Sequence, residues 1–300
     1  MLLDGGLATE LEARGCDLDD DLWSAGVLLD DPDLIRAVHV DYLQAGADCI
    51  TGASYQATIP GFRRRGLGES AAAGCLRLSV DLARQARDAF WSDEASRRGR
   101  RPPLVAASIG PYGAFLADGS EYRGEYGLDV DSLAAFHERR FAILAGSGAD
   151  LLACESIPSR DEAQALLRLL RATGTMRAWF SFTCRDAAHL SDGTPLAEMA
   201  ATLDAEELVA AIGVNCTPPR FIPPLLDALR GSTSKPLVVY PNSGESYDAG
   251  RRRWSGSRPA IDFAVAALGW VEAGARLVGG CCRTGPDHIR RMRSALSDSR

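Results

Sequence analysis

Three cysteines have a spacing that predicts a metal site. Cys281 and Cys282 are adjacent and follow two glycines, and Cys216 follows an apolar segment upstream. A disulfide between neighbouring cysteines is strained, so the pair would be a poor crosslink. Two thiols at a strand end can turn toward one ion if the backbone bends, which Gly279 and Gly280 would permit. Three protein ligands with an open fourth position are typical of catalytic zinc, whereas two packed apolar cysteines are the structural alternative.

Two acidic residues, Asp4 and Glu155, each end an apolar segment in which a carboxylate has no role in packing. A pair of carboxylates at one edge of a fold can hold the ammonium group of a ligand. A glycosidase-like acid pair is an alternative, but nearby thiols do not suit that chemistry. A helix cap or a surface ion pair would be the structural explanation for each.

Composition excludes several functional classes. The 33 basic and 40 acidic residues give a net charge of −7, which provides no general attraction to nucleic acid or anionic membranes. No apolar run reaches the ~18 residues of a membrane span. The N-terminal residues MLLDGG lack the pattern of a signal peptide, so we expect a cytoplasmic protein. The single lysine, Lys235, lacks the glycine context of a phosphate-binding loop.

Short apolar runs alternate with segments of helical period, which is typical of parallel βαβ units. The predicted strands are Leu2–Gly5, Cys49–Ser54, Leu104–Ile109, Leu151–Glu155, Ala178–Thr183, Ala211–Asn215, Leu237–Tyr240 and Arg276–Gly279. The predicted helices are Pro32–Ala47, Glu69–Trp91, Ser132–Gly146, Asp161–Ala172, Ile261–Ala273 and Asp287–Leu296. This pattern predicts one (β/α)8 barrel of the TIM type over residues 1–300, with a doubly wound sheet as the alternative. Because the active site of such a barrel lies at the carboxyl ends of its strands, the thiols and carboxylates would share one rim.

Eight segments together resemble the homocysteine S-methyltransferase family, and they extend from residue 2 to about residue 289. The segments LWSA, SYQAT and YPNSGE look most like the branch that uses S-methylmethionine. The full set is LLDGGLATELEARG, DLWSAGVLLDDPDLI, ITGASYQAT, SIGPYGAFLADGSEYRGEY, LLACESIPS, IGVNCTPP, VVYPNSGESYD and GGCCRTGPDHI.

The resemblance implies a role for individual residues. It implies that Cys216, Cys281 and Cys282 bind one Zn²⁺ per chain and that Asp4 and Glu155 bind the ammonium group of homocysteine. Ser54 and Tyr55 would line the amino-acid pocket, with Asn242 nearby. Aromatic residues of the predicted rim loops can bind the donor cation through their ring faces. These are Trp23, Tyr55, Tyr112, Phe115 and Trp254.

The predicted reaction is zinc-dependent methyl transfer from a sulfonium donor, S-methylmethionine or S-adenosylmethionine, to the thiol of homocysteine, forming methionine. A metal-bound thiol is deprotonated, so no catalytic side chain beyond the activated substrate thiol is required. Within the family, betaine as donor and selenocysteine as acceptor are alternatives. A non-catalytic zinc or thiol redox-sensing barrel is the alternative from another class. We expect a monomer or weak dimer, because the long C-terminal extension of the betaine enzymes is not seen.

Overall fold

The computed structural model describes residues 1–18, 22–248, 253–255 and 262–298. Seven parallel strands form one sheet in the order β1-β2-β3-β4-β5-β6-β9, and β7 and β8 form a separate antiparallel pair. The strands are β1 Cys49–Thr51, β2 Leu104–Ile109, β3 Leu151–Ile157, β4 Ala178–Phe182, β5 Val209–Asn215, β6 Leu237–Tyr240, β7 Ser246–Asp248, β8 Arg253–Ser255 and β9 Ala275–Val278. The sequence-predicted strands from the second to the eighth correspond to the seven sheet strands.

Helices connect the strands of the sheet, as parallel pairing requires. They are α1 Leu7–Ala13, α2 Val27–Asp30, α3 Pro32–Ala45, α4 Ile59–Arg64, α5 Glu69–Ser92, α6 Glu94–Arg97, α7 Tyr112–Leu116, α8 Val130–Ala145, α9 Arg160–Thr173, α10 Leu196–Asp204, α11 Ile222–Arg230, α12 Phe263–Glu272 and α13 Pro286–Asp298. None of these helices is apolar over enough of its length to cross a lipid bilayer.

Local helix signals explain where several helices begin and end. The Asp31 side chain accepts a hydrogen bond from the amide of Leu34 at 3.2 Å, and Pro32 occupies the first turn of α3. Gly46 ends α3 with a φ of 113°. The sequence did not reveal α11, because two prolines stand in its first turn, where their missing amide protons cause no loss. The predicted start of α12, at residue 261, lies outside the described residues.

The first predicted strand forms only single bridges in the structure. Leu2 bridges Val278 of β9 and Leu3 bridges Cys49 of β1, both in parallel orientation. The ladder to β1 then stops, because the amide of Thr51 donates to the Asp4 carboxylate at 2.7 Å instead of to a backbone carbonyl. The sheet itself therefore has seven strands, and its two edge strands both contact this N-terminal segment.

The curled sheet separates two apolar clusters. A small inner cluster combines large and small side chains, with Trp179 and Tyr240 set among alanines. Its buried members are Leu3, Cys49, Ala106, Ala153, Trp179, Ala211, Val238 and Tyr240. A much larger cluster fills the space between the sheet and the helices. Because the strands are parallel and curled, their carboxyl ends meet around one rim.

Protonation of one buried histidine opposes folding at acidic pH. His39 in α3 is fully buried, and neither ring nitrogen has a hydrogen-bond partner among the described residues. Burial lowers the pKa of His39 from 6.5 to about 4. Below pH ~6.5 the unfolded chain binds a proton that the folded chain does not, so stability falls as the pH drops through this window.

We therefore predict that His39→Leu flattens the acid side of the stability profile. The wild-type free energy of unfolding should fall relative to that of the variant between pH 6.5 and 4, with a slope approaching about 1.4 kcal/mol per pH unit. The free energy of unfolding of both proteins is measured by urea unfolding at half-unit pH steps. Parallel profiles would contradict the prediction.

Candidate active site

Three thiols converge at the rim. Cys216 directly follows β5, and Cys281 and Cys282 follow β9. Their sulfur atoms all lie within 4.8 Å of one another, and the Cys216 and Cys282 sulfurs are 3.6 Å apart. Sulfur ligands at ~2.3 Å from a tetrahedral ion are about 3.8 Å from each other, so the cluster has the dimensions of one metal site. An all-thiol donor set favours a soft or borderline ion such as zinc.

The loop after β6 holds the two halves of this cluster together. The amide of Cys216 donates to the Tyr240 carbonyl at 3.1 Å, and the amide of Cys281 donates to the Pro241 carbonyl at 2.9 Å. The Asn242 side chain donates to the Cys216 carbonyl at 3.1 Å and accepts from the Gly244 amide at 2.9 Å. The structure thus places Asn242 beside the cluster, where its amide group orients backbone.

The two glycines before the cysteine pair allow neighbouring residues to pack closely against the backbone. They do not create an unusual bend. A Cβ atom on Gly280 would lie 2.2 Å from the Thr284 hydroxyl oxygen, and one on Gly279 would lie 2.7 Å from the Leu3 Cβ. The left-handed backbone of this turn is instead at Arg283, with a φ of 67°. Cys216 is also left-handed, with a φ of 47°, which is an uncommon conformation for a residue with a side chain. Such conformations tend to occur at functional sites.

Asp4 and Glu155 are buried at the same rim. Asp4 is 8% exposed and accepts from the Thr51 amide at 2.7 Å and from the Thr51 hydroxyl at 3.2 Å. Glu155 is 9% exposed and accepts from the hydroxyls of Ser108 and Tyr240, the latter at 3.0 Å. Burial raises the pKa of Asp4 to about 8 and that of Glu155 to about 7, and the charge of Glu155 raises that of Asp4 further. Two buried carboxyl groups that no basic side chain of the described residues bonds are suited to bind a cation.

Tyr240 orients Glu155 and was not identified from the sequence. Because the Tyr240 hydroxyl donates to Glu155, it accepts from the Trp179 indole at 2.9 Å and from the Ser181 hydroxyl at 2.5 Å. This chain of bonds lies in the inner cluster, below the rim. The only sequence signal was its place at the end of an apolar run, directly before the segment PNSGE.

Asn215 is a second residue that the sequence did not identify. Its amide oxygen accepts from the Ser156 amide at 2.7 Å, and its amide nitrogen donates to the Ser156 hydroxyl at 2.7 Å. The same nitrogen lies 3.9 Å from the Cys281 sulfur. Asn215 therefore links the ends of β3 and β5 to the cysteine pair.

Tyr122 is a third. It ends a short 3-10 helix, Ser120–Tyr122, in the segment that follows β2. Its hydroxyl lies 3.5 Å from the Cys216 sulfur, so this segment reaches over the thiols. Nothing in its type or spacing distinguished Tyr122 from the other aromatic residues of the predicted loops.

The predicted pocket residues occupy different environments. The Ser54 hydroxyl is fully buried and donates to the Ser108 carbonyl at 2.8 Å, which ties the segment after β1 to β2. Tyr55 is half-buried, and its ring packs edge-on against Trp23 with 6.3 Å between the centroids. Burial raises the pKa of Tyr55 well above its usual value, and the charges of Glu121 and Cys216 raise it further.

Two other aromatic candidates, Tyr112 and Phe115, pack against neighbouring side chains. Tyr112 packs edge-on against Phe136 of α8 at 4.8 Å between centroids. The Phe115 ring is covered by the Arg64 guanidinium, 4.2 Å from its centroid. The side chain of Trp254 lies outside the described part of the structure.

A buried polar network supports the segment that carries Tyr122. Arg140 of α8 donates to the Gly110 carbonyl and to His137 Nδ1, the latter at 3.1 Å from Nε. His137 Nδ1 is therefore an acceptor, and Nε2 carries the proton that is donated to Glu162 at 2.8 Å. Burial lowers the pKa of His137 well below its usual value, which is consistent with this neutral form. Glu162 also accepts from the Tyr112 amide, so the network anchors both ends of the Gly110–Tyr112 turn.

Comparison with known proteins assigns the chain to a family. A sequence profile described as homocysteine S-methyltransferase matches residues 1–296. The homocysteine S-methyltransferase YbgG of Bacillus subtilis is 52% identical over 292 residues, which cover 97% of this chain and 93% of that protein. The selenocysteine Se-methyltransferase of Brassica oleracea is 48% identical over 309 residues, covering 100% of this chain and 89% of that protein.

A solved structure agrees with this assignment. The metallated form of the homocysteine methyltransferase MmuM from Escherichia coli has a TM-score of 0.88 and 49% identity, covering 98% of this chain and 95% of that one. The chain therefore belongs to the homocysteine S-methyltransferase family, and it is an enzyme of the methyltransferase class.

Burial of Asp4 also makes the stability of the folded protein depend on pH. The folded chain keeps the Asp4 proton up to a pKa of about 8, whereas the unfolded chain loses it near 3.8. Wild-type stability therefore decreases as the pH rises through this window. The side chain of the Asp4→Asn variant is neutral at every pH. We predict that the melting temperature of this variant minus that of wild type is larger at pH 8 than at pH 5, by on the order of 2 °C or more.

Calorimetry of the metal-free proteins at the two pH values measures this difference. If the melting temperature of the variant minus that of wild type is the same or smaller at pH 8 than at pH 5, the assigned environment of Asp4 is wrong.

Proposed function

We propose that this enzyme transfers a methyl group from a sulfonium donor, S-methylmethionine in the first place, to the thiol of homocysteine, forming methionine. The observation that carries the proposal is the convergence of three thiols and two buried carboxyl groups at one rim. The names of the relatives, a homocysteine S-methyltransferase at 52% identity among them, support the choice of acceptor.

The thiols fit a zinc ion held by Cys216, Cys281 and Cys282. Their sulfur atoms lie close enough together to hold one ion, and a fourth ligand of a tetrahedral zinc would then be supplied by the substrate. When bound, Zn²⁺ would supply the acidity that keeps a substrate thiol deprotonated near neutral pH. The protein contributes the rigid backbone of the Tyr240–Ser243 segment, which holds the three sulfurs in place.

Asp4 and Glu155 hold the amino acid. An ammonium group placed between them favours their ionised forms, which offsets the unfavourable burial of the carboxylates. Hydrogen bonds from Thr51, Ser108 and Tyr240 fix both side chains before substrate arrives. Binding of the ammonium group therefore orients the substrate thiol toward the cysteine cluster at a small entropic cost.

The chemistry then requires no proton transfer. The thiolate sulfur forms a bond to the donor methyl carbon, and the bond from that carbon to the sulfonium sulfur breaks with its electron pair. Two charged reactants become two neutral thioethers, so a site with little water favours the reaction. The faces of the Tyr55 and Trp23 rings would stabilise the donor cation by up to ~2 kcal/mol.

We further propose that residues 1–300 form one complete (β/α)8 barrel in which Leu2 and Leu3 serve as the eighth strand. The parallel bridges of Leu2 to Val278 and of Leu3 to Cys49 support this closure. Closure would fix Asp4 at the rim between the first and last sheet strands, beside the cysteine pair.

The reaction is tested by incubating the reduced, zinc-loaded protein with homocysteine and S-methylmethionine and measuring methionine. S-adenosylmethionine and betaine as donors, and selenocysteine as acceptor, run in parallel. Methionine formation that a chelator abolishes supports the proposal. If methylation requires another donor or acceptor, the substrate assignment is wrong. If zinc-bound protein methylates nothing, the proposed reaction is refuted.

Substitution of one cysteine inside the cluster and one outside it tests the metal-site assignment. The Cys281→Ser variant should no longer bind stoichiometric zinc, because a serine hydroxyl is a poor zinc ligand. Its rate of methionine formation should fall by at least about 100-fold. Cys16→Ser, at a similarly half-buried cysteine outside the cluster, should keep both. Metal content by mass spectrometry, activity and circular dichroism are measured together. Full activity of folded Cys281→Ser would refute the metal-site assignment.

A further inference from the structure

A phenol hydroxyl contacts one of the three sulfurs, and it has no role in the mechanism described so far. The Tyr122 hydroxyl lies 3.5 Å from the Cys216 sulfur, at hydrogen-bond distance for a sulfur atom. The Asn215 amide nitrogen makes a longer contact of the same kind, 3.9 Å from the Cys281 sulfur. Two of the three thiols are thus contacted by neutral groups that can donate a hydrogen bond.

The backbone that carries Tyr122 is held on both sides. Before it, the Glu121 carbonyl accepts from the Thr183 hydroxyl at 3.2 Å, directly after β4. After it, the chain runs so close to the residue that follows β3 that a Cβ atom on Gly124 would lie 2.9 Å from the Pro158 carbonyl oxygen. The ends of β3 and β4 therefore fix the segment that brings the Tyr122 hydroxyl to Cys216.

The direction of the hydrogen bond follows from the chemistry of the proposed metal site. A cysteine that binds a metal ion is a thiolate and has no proton to donate. A phenol keeps its proton near neutral pH, because its pKa is about 10. In the metal-loaded protein Tyr122 is therefore the donor, and the Cys216 sulfur is the acceptor.

The proposed reaction exposes the ligand sulfurs to the same methyl group as the substrate sulfur. The three ligand sulfurs all lie within 4.8 Å of one another, and a substrate sulfur on the same ion would be about 3.8 Å from each of them. A ligand thiolate that attacked the donor would form a bond to the methyl carbon. The bond from that carbon to the sulfonium sulfur would break with its electron pair. The ligand would become a neutral thioether without the charge that binds zinc, so the site would be disabled.

Resting on the proposed function, we infer that Tyr122 protects Cys216 from methylation by the donor. A hydrogen bond to a thiolate stabilises the charge on sulfur, and a better stabilised thiolate is a weaker nucleophile. Groups that bond to metal ligands commonly tune the reactivity of a site in this way. The Tyr122 hydroxyl thereby favours transfer of the methyl group to the substrate over transfer to Cys216.

The test uses iodomethane as the methyl source, so that it does not depend on which natural donor the enzyme takes. Attack by a thiolate forms the bond from sulfur to carbon and releases iodide. Zinc-loaded protein without homocysteine is treated until a small fraction of the chains is methylated, and peptide mass spectrometry locates the methyl group. In Tyr122→Phe, which lacks only the hydroxyl, Cys216 should be methylated at least about tenfold faster than in wild type. Zinc should be released in step, and the half-buried Cys16 outside the cluster should react at the wild-type rate.

Two further variants serve as controls. Tyr126→Phe removes a hydroxyl from the same segment that has no hydrogen-bond partner among the described residues, so Cys216 should react at the wild-type rate. Tyr122→Ala removes the ring together with the hydroxyl, and it separates the effect of the hydrogen bond from shielding by the ring.

Three results would overturn the inference. A wild-type rate at Cys216 in Tyr122→Phe shows that the hydroxyl gives no protection, and a rise confined to Tyr122→Ala assigns the effect to the ring. Loss of zinc from Tyr122→Phe before iodomethane is added shows that the hydroxyl supports metal binding instead. An equal rise at Cys281, which keeps its contact with Asn215, shows a general opening of the site. Failure of the proposed function is distinct, because zinc-loaded wild type would then form no methionine from homocysteine and S-methylmethionine.

Discussion

The site depends on holding three thiols and two carboxyl groups close together with little access to water. Cys216 and Cys282 are 66 residues apart in the chain, yet their sulfurs lie 3.6 Å apart. The backbone bonds of the segment after β6 to the ends of β5 and β9 maintain this approach. Burial disfavours the ionised forms of Asp4 and Glu155 and so raises the pKa of both, and the charge of Glu155 adds to the effect on Asp4.

The same cost prepares the site for its ligands. Under the proposed function, a soft cation would stabilise the thiolates and an ammonium group would stabilise the carboxylates, so binding would offset this cost. The polar network of Tyr240, Ser181 and Trp179 beneath the rim keeps Glu155 in position without neutralising it. Functional sites commonly sacrifice stability in this way.

The rim combines side chains from the sheet with a segment that reaches over the thiols. Asp4 follows the bridged N-terminal segment and Glu155 lies in β3, and hydrogen bonds from Thr51, Ser108 and Tyr240 fix their carboxyl groups. Glu121 lies on the segment that covers the thiols, supported by Thr183 and, further back, by the Arg140 network.

The strands, most of the long helices and the residue types that form the metal site could be predicted from the sequence alone, because they depend on local periodicity and on chemistry that few residues possess. Cysteines, and carboxylates that end apolar strands, are conspicuous wherever the chain folds. The contributions of Tyr122, Asn215 and Tyr240 were decided by the tertiary structure. Each is an ordinary residue type whose role arises only from contact with strands distant in sequence, and from the burial that those contacts impose.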